Sequence, residues 1–311
     1  MIKISICTVT YNHGPYLAQA IEGVLMQKGD FVLEMIVGED CSTDNTRAVL
    51  REYAEKYPDI IKPIYHAQNV GMLLNSKLCL DACTGDYIAA LEGDDYWTDP
   101  YKLQKQVGFL EANPEYHLCM HRVLKVYQDG SHPPRESDVI GREIVYFEDF
   151  IGNMAFHTLS FVFRRTVLDR RPEWLAYKGH GDWMLIMLAA ELGPVRYMHE
   201  ILGVYRIHSG GVFSMIDRYK QTENIIDMMY LWLEYYRGVR SEKPFLNRLL
   251  MERMNLANQY LQAGMKSKAA EQIRLSMPLV PKLRLAAMPV ALKRLLGASV
   301  RLLRLSAGAA M

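Results

Sequence analysis

The chain has 311 residues, of which 50% are hydrophobic and 23% charged, a balance typical of globular proteins with a sizeable core. Its 36 basic and 35 acidic residues give a net charge of +1, which excludes a globally basic nucleic-acid-binding protein. No apolar run reaches the roughly 18 residues that a transmembrane helix needs. A strand pattern begins at once without a signal-peptide pattern, and five scattered cysteines indicate free thiols, so we expect a cytoplasmic protein.

Strand and helix patterns alternate through the first part of the chain. Apolar, β-branched runs predict strands at 2–10, 31–37, 60–65 and 86–91. Helix patterns lie between them and open at Pro15, at Thr43 or Asp44, and at Met72. This alternation is typical of a parallel α/β sheet, in which ligands bind beyond the carboxyl ends of the strands.

Three of these strand ends carry polar residues suited to chemistry. They are Thr10-Tyr11-Asn12-His13, Glu39-Asp40 and Glu92-Gly93-Asp94-Asp95. An acidic cluster after a buried strand is costly unless a cation or donors compensate it, and carboxylates suit Mg²⁺ or Mn²⁺. The residues alone leave an alternative open at both acidic segments, namely a solvated turn that precedes a helix.

Two common nucleotide-binding motifs are missing from the sequence. The first strand is followed by Asn12-His13-Gly14-Pro15 instead of Gly-x-Gly-x-x-Gly, which argues against a nicotinamide-type Rossmann site. No Gly-x4-Gly-Lys-Ser/Thr string occurs, which excludes a P-loop nucleotidase. Phosphate charge would therefore be met by a metal ion and by discrete basic residues.

Five motifs follow one another in the first part of the chain. They are Ser5-Ile-Cys-Thr-Val-Thr-Tyr-Asn12, Ile36-Val-Gly-Glu-Asp40-Cys-Ser42-Thr43-Asp44, Asn69-x-Gly71, Gly85-Asp86-Tyr87-Ile88 and Glu92-Gly-Asp94-Asp95-Tyr-Trp97. Together they resemble the inverting, non-processive bacterial members of glycosyltransferase family 2, closely over 3–115 and more loosely to about residue 214. The resemblance implies a GT-A fold, which is an α/β, Rossmann-like arrangement with a mostly parallel central sheet flanked by helices.

The resemblance places the nucleotide and the metal in the first half of the chain. The family's base-binding positions fall on Thr10, Tyr11 and Asp40. Its motif for diphosphate and for Mn²⁺ or Mg²⁺ falls on Glu92, Asp94 and Asp95. Because Glu92 stands where the family usually has Asp, we expect coordination to rest on the two aspartates.

The second half supplies three further candidates through the same resemblance. Asp182, in Gly181-Asp182-Trp183, matches the place of the general base, and Arg206 and His208 match contacts to phosphate or metal. Arg206 and His208 are two apart on a predicted strand, so both should point to one face. Taken alone, Asp182 is equally a helix N-terminal carboxylate favoured by the helix dipole, and the two roles can coexist.

We predict a glycosyltransferase domain at 1–214, with a nucleotide-binding half at 1–115 and an acceptor-side half at 116–214, followed by a helical region at 215–311. Seven basic residues and no acidic one follow Glu271, and leucines alternate with basic residues over 282–305. Such a tail can lie on an anionic membrane surface, here the cytoplasmic face of the inner membrane. A packing helix or a dimer contact is the alternative.

The motifs together predict an inverting transfer from a nucleoside-diphosphate sugar, most simply a UDP-sugar, to a hydroxyl group. The acceptor would be a saccharide or lipid-linked saccharide, as in surface polysaccharide synthesis, and no nucleic-acid partner is expected. Two alternatives stay open at this point. One is a non-catalytic nucleotide-sugar-binding protein, and the other is a nucleotidyltransferase or phosphohydrolase on a similar sheet.

Overall fold

A computed structural model of the protein describes residues 1–139, 141–152, 156–173, 181–211 and 217–282. The chain divides into two compact units, Met1–Gly211 and Val212–Met311, and the predicted boundary at 214 lies close to this division. The predicted basic tail spans 282–305, and from residue 283 onward it lies outside the described residues.

One sheet, with ten strands among the described residues, forms the first unit. The strands are β1 (Ile2–Thr10), β2 (Phe31–Glu39), β3 (Ile61–Tyr65), β4 (Tyr87–Ala90), β5 (Tyr96–Trp97), β6 (Leu118–Tyr127), β7 (Arg135–Glu136), β8 (Ile144–Val145), β9 (Val162–Arg164) and β10 (Val195–Ile207). Their order across the sheet is β3-β2-β1-β4-β9-β6-β10-β5, while β7 pairs with β6 and β8 with β10.

The long strands of the sheet pair in parallel. β1 lies between β2 and β4 and is parallel to both, β3 is parallel to β2, and β10 is parallel to β6. The short strands β5, β7, β8 and β9 pair with their neighbours in antiparallel fashion. The predicted α/β class with a mostly parallel central sheet is therefore confirmed, and the carboxyl ends of β1, β2 and β4 lie at the same edge.

Six α-helices of the first unit are described, and the first three follow β1, β2 and β3 as predicted. They are α1 (Leu17–Leu25), α2 (Thr46–Lys56), α3 (Met72–Ala82), α4 (Lys102–Ala112), α5 (Phe147–Gly152) and α6 (Gly181–Leu192). The apolar face of α1, including Leu17, Ile21 and Val24, is fully buried. Each such side chain contributes about 1.5–3 kcal/mol on leaving water, which fixes this helix against the sheet.

The described part of the second unit, 217–282, is helical. It contains α7 (Arg218–Tyr235), α8 (Lys243–Gln262) and α9 (Lys266–Ser276). Gly264, just beyond the end of α8, has φ +75°, a conformation that glycine adopts without steric cost. Among the described residues, no helix is both long and apolar enough to cross a bilayer.

Glu34 joins β2 to β1 and to the segment after α3. Its Oε1 accepts hydrogen bonds from Ser5 Oγ at 2.5 Å and from the Thr84 backbone N–H at 2.7 Å. Its Oε2 lies 2.6 Å from Lys3 Nζ. Burial alone would raise the pKa of Glu34, but the hydrogen bonds from Lys3, Ser5 and Thr84 lower it to about 2. The ionised form is therefore the one that stabilises the fold.

We expect part of the free energy of unfolding to be lost as the pH falls from about 4.5, the ordinary value for Glu34, toward its folded value of about 2. A group with a lowered pKa in the folded state contributes fully only above its unfolded pKa. Glu34→Gln should remove this pH dependence and cost roughly 2 kcal/mol at neutral pH. Urea unfolding followed by circular dichroism across this pH range measures both effects.

Glu55→Gln is the matched control, because Glu55 is an exposed carboxylate on α2. This variant should keep the wild-type pH profile. If the free energy of unfolding of Glu34→Gln fell with pH as that of the wild type does, the stabilising role of ionised Glu34 would be contradicted.

Candidate active site

Hydrogen bonds fasten the loop after β1 to the loop after β2. Asn12 N–H donates to Ser42 Oγ at 3.0 Å, and Asn12 Oδ1 accepts from Thr43 N–H at 2.8 Å. Asp44 Oδ2 accepts from Gly14 N–H at 2.9 Å. Two adjacent strand ends therefore form one rigid rim.

The three predicted base-binding residues lie at this rim in different environments. The Tyr11 side chain is 42% exposed, whereas Thr10 and Asp40 are buried. The Asp40 carboxylate accepts backbone hydrogen bonds from Val70 at 2.7 Å and Gly71 at 3.0 Å, one on each oxygen. Each oxygen retains a second lone pair, so Asp40 both holds the loop before α3 and can accept one more donor.

The acidic turn after β4 packs directly on the end of β1. A Cβ on Gly93 would lie 2.6 Å from Thr10 Oγ1 and 3.0 Å from His13 Nδ1. Only glycine fits this approach, which places the carboxylates of the turn beside the β1 loop. Ligand atoms of Glu92, Asp94 and Asp95 lie within 4.8 Å of one another.

The three carboxyl groups of this turn differ in ionisation. Burial, followed by the charges of Asp94 and Asp182, raises the pKa of Glu92 to about 8. Burial, followed by the charges of Asp94 and Glu92, raises the pKa of Asp95 well above its ordinary value. Burial opposes ionisation of Asp94 too, but the His208 hydrogen bond and the charge of His13 hold its pKa below the ordinary value. Asp94 is thus the carboxylate that carries the negative charge.

Two histidines face Asp94 from separate loops. His208 Nε2 lies 3.0 Å and His13 Nε2 3.6 Å from Asp94 Oδ2. Burial is the main cause that lowers the pKa of His13, against the opposing charge of Asp94. The sequence indicated His208 but assigned no role to His13, although it noted the polar end of β1 to which His13 belongs.

Arg206 makes hydrogen bonds and a ring contact with neighbouring residues of the protein. Its backbone N–H donates to Asp95 Oδ1 at 2.8 Å. Its guanidinium donates to the Asp94 carbonyl and to the Gln19 side chain, and lies 4.4 Å from the ring centre of Tyr96. The structure thus places the predicted phosphate contact where it holds the acidic turn against β10.

Asp182 lies in the first turn of α6 and faces the same site. Its Oδ1 accepts the Trp183 N–H at 2.7 Å, and its Oδ2 lies 3.4 Å from Thr158 Oγ1. After burial, the charges of Glu92 and the other acids of the site, Asp182 included, raise the pKa of Tyr205. Tyr205 is a further residue to which the sequence assigned no role, although it directly precedes Arg206.

The residues of the turn fit a divalent cation. Asp95 Oδ2 is buried and has no hydrogen-bond partner among the described residues. Burial, together with the charges of Asp94 and Asp182, raises the pKa of Glu92 and keeps it largely protonated at neutral pH. A cation bound between these groups would relieve both conditions, and oxygen-rich sets of this kind suit Mg²⁺ or Mn²⁺.

Sequence comparison places this site in a known family. The profile of the family described as Glycosyl transferase family 2 matches residues 5–171, which is more than half of the chain. An uncharacterised protein of Mycobacterium tuberculosis is 34% identical over 213 residues, covering 68% of this chain and 60% of that protein. An uncharacterised glycosyltransferase of Nostoc is 31% identical over 218 residues, covering 67% and 65% respectively. The chain thus spans about 60% of the length of the mycobacterial relatives.

A third relative carries a more specific name. TuaG of Bacillus subtilis, named as a candidate teichuronic acid biosynthesis glycosyltransferase, is 28% identical over 215 residues. The match covers 68% of this chain and 81% of TuaG.

Solved structures agree with the fold. TarS 1–349 of S. aureus, in complex with UDP-GlcNAc, matches with a TM-score of 0.66 and 17% identity over 96% of this chain and 88% of that one. A Pyrobaculum calidifontis mannosyltransferase, in complex with GDP-Man and Mn²⁺, gives a TM-score of 0.55 and 18% identity over 96% and 86%. At these identities the likeness shows the fold alone, and it is the GT-A fold. With the family profile covering more than half of the sequence, the chain belongs to glycosyltransferase family 2.

Proposed function

We propose that this protein transfers a sugar, with inversion, from a UDP-sugar to a hydroxyl group of a saccharide or lipid-linked saccharide. The observation that carries the proposal is the convergence of Asp182 with the acidic turn of Glu92, Asp94 and Asp95. A base and a diphosphate-binding corner in one site are what a single displacement at an anomeric carbon requires.

In this proposal the acceptor oxygen attacks the anomeric carbon on the face opposite the diphosphate. The new carbon–oxygen bond forms as the bond to the diphosphate breaks, and the acceptor proton passes to the Asp182 carboxylate. One displacement inverts the configuration and needs no covalent enzyme intermediate. Glu92, Asp94 and Asp95 would hold Mn²⁺ or Mg²⁺, which when bound neutralises charge on the leaving diphosphate.

The nucleotide would lie over the joined loops after β1 and β2. The exposed ring of Tyr11 is placed to stack on the base, and the remaining lone pairs of Asp40 suit an imide N–H. Thr10, buried at the same strand end, would be the third base-binding position. UDP-GlcNAc in the TarS complex supports a uridine nucleotide, and the GDP-Man complex shows that the fold also takes another base.

Fewer observations bear on the acceptor than on the nucleotide sugar. The name of TuaG supports a cell-surface polysaccharide or its lipid-linked precursor. We place the transferase domain at 1–214, with nucleotide-side and acceptor-side halves meeting near residue 115. The basic stretch 282–305 would hold the enzyme on the cytoplasmic face of an anionic membrane, where lipid-linked acceptors lie.

Asp182→Asn should lower the transfer rate at least about 100-fold, because the acceptor proton loses its base. The dissociation constant of UDP in the presence of Mn²⁺ should stay within about twofold of the wild-type value, since Asp182 acts on the acceptor rather than on the nucleotide. UDP release, product anomeric configuration by NMR, and calorimetric titration with UDP give the three readouts.

Asp169→Asn, at an exposed aspartate of the same half, is the control and should match the wild type. Parallel loss of UDP binding in Asp182→Asn would show a structural role instead. Release of phosphate or pyrophosphate would point to a phosphohydrolase or nucleotidyltransferase. If the wild type bound UDP but turned over no nucleotide sugar, the result would support a non-catalytic nucleotide-sugar-binding protein.

Removing divalent ions with EDTA should abolish transfer, and excess Mn²⁺ should restore it. Asp94→Asn should weaken UDP binding in the presence of Mn²⁺ by about tenfold or more, because it removes the one clearly ionised carboxylate of the turn. Thermal shift with UDP, with and without Mn²⁺, measures the coupling.

Asp30→Asn, at an exposed position before β2, is the matched control for Asp94→Asn. Full transfer activity in EDTA would contradict a metal-dependent mechanism. If Asp94→Asn bound UDP and Mn²⁺ as tightly as the wild type does, Asp94 would not be a metal ligand.

Membrane association should depend on the charges of the tail. Reversing Lys282, Arg284, Lys293, Arg294, Arg301 and Arg304 to Glu should abolish flotation with phosphatidylglycerol vesicles, because each basic residue contributes about 1 kcal/mol at an anionic surface. A variant with Lys and Arg exchanged at the same six positions keeps the charge and should float as the wild type does. Equal flotation of the reversed and wild-type proteins would rule the tail out.

A further inference from the structure

Three side chains from three separate segments converge on one point of the site. His13 comes from the loop after β1, Asp94 from the turn after β4, and His208 from the end of β10. One ligand atom from each lies within 4.8 Å of the other two. The chain separates Asp94 from His208 by 114 positions, so the sheet alone brings this set together.

We propose that His13 is a further ligand of the ion proposed above, together with His208 and Asp94, and that this second imidazole makes the site selective for Mn²⁺ or Co²⁺ over Mg²⁺. The proposal rests on the transferase function proposed above and adds a residue and a metal class to it. Imidazole nitrogen suits transition-metal ions, whereas Mg²⁺ favours oxygen ligands.

The geometry of His13 fits a shared ion better than a hydrogen bond. Its Nε2 lies 3.6 Å from Asp94 Oδ2, beyond the ordinary hydrogen-bond range. Two atoms that each lie about 2.1 Å from one ion are roughly 3–3.5 Å apart. The imidazole rings of His13 and His208 stand nearly perpendicular, at 85°, with centres 6.1 Å apart, so the two rings do not stack on each other.

Burial supports the same conclusion. The side chains of His13, Asp94 and His208 are only 14%, 17% and 6% exposed, so few water molecules compete for their lone pairs. Two imidazoles directed at one carboxylate oxygen in such a place form a preorganised ligand set.

The second ring nitrogen of His13, Nδ1, lies near a group that could orient the ring for metal binding. His13 Nδ1 and Thr10 Oγ1 are both buried without a hydrogen-bond partner among the described residues. Both lie within 3.0 Å of the position that a Cβ on Gly93 would take. A metal-bound histidine usually donates its other N–H to a neighbouring acceptor, and in this proposal a small rotation would bring His13 Nδ1 to the Thr10 hydroxyl.

Metal binding to the full-length protein tests this inference without relying on turnover. Titration with Mn²⁺ alone, followed by EPR of the free ion, should give a dissociation constant that rises at least about tenfold in His13→Ala. Nitrogen couplings in the pulsed EPR of bound Mn²⁺ should indicate two imidazoles in the wild type and one in the variant. Mg²⁺ competition should displace Mn²⁺ more readily from His13→Ala.

His13→Gln, which keeps a polar side chain of similar length, guards against loss of packing and should show the same loss of one nitrogen. His132→Ala, at an exposed histidine, is the control and should bind Mn²⁺ as the wild type does. Mn²⁺ affinity of His13→Ala within twofold of the wild type, or two imidazole couplings retained, would overturn the inference.

The two proposals fail in different ways. If the wild type transfers sugar but His13→Ala keeps its Mn²⁺ affinity, the transferase function stands and the ligand role of His13 falls. If the variant loses Mn²⁺ while the wild type turns over no nucleotide sugar, the ligand role stands and the transferase function falls.

Discussion

Negative charge concentrated at the carboxyl end of β4 governs the arrangement of this site. Glu92, Asp94 and Asp95 lie within 4.8 Å of one another, where burial strengthens their mutual repulsion. The protein compensates each differently: Glu92 is held near its protonated form, Asp95 accepts the Arg206 backbone N–H, and Asp94 faces His208. The surrounding donors therefore position the turn but leave room for a cation to complete the compensation.

Strand β10 provides this compensation through alternate residues. Arg206 lies near the end of β10 and His208 directly follows the strand, and both side chains contact Asp94 of the acidic turn. The Arg206 guanidinium lies over the ring of Tyr96 and is hydrogen-bonded within the protein. Because this guanidinium is already paired within the protein, the proposed metal ion would supply further positive charge for a diphosphate.

Local patterns predicted the strands β1 to β4, and the resemblance to family 2 supplied the site residues. The apolar runs that form β1 to β4 are contiguous in sequence, so their period and their polar ends can be read directly. Asp94 and Asp182 were predicted because each occupies a recognisable motif, and the structure brings them into one electrostatic neighbourhood.

Other features depend on distances that no local pattern encodes. His13 meets Asp94 only because β1 and β4 are adjacent in the sheet and Gly93 allows close approach. Likewise, Asp94 and Asp95 are neighbours in sequence, yet one faces two histidines and the other is buried against β10. Side-chain direction within a turn follows from its tertiary contacts, which is why the two aspartates were assigned one shared role from sequence.

The rim that carries Tyr11 and Asp40 is held in a strained but rigid form. Asn12 and Cys41, each next to one of these residues, have φ values of +56° and +58°. A left-handed conformation costs a non-glycine residue roughly 1 kcal/mol, and it persists only where surrounding contacts fix it. Here the Asn12 hydrogen bonds to Ser42 and Thr43 supply those contacts. Because the strain is borne before any ligand arrives, the proposed base would meet an ordered rim, and its binding would lose less conformational entropy.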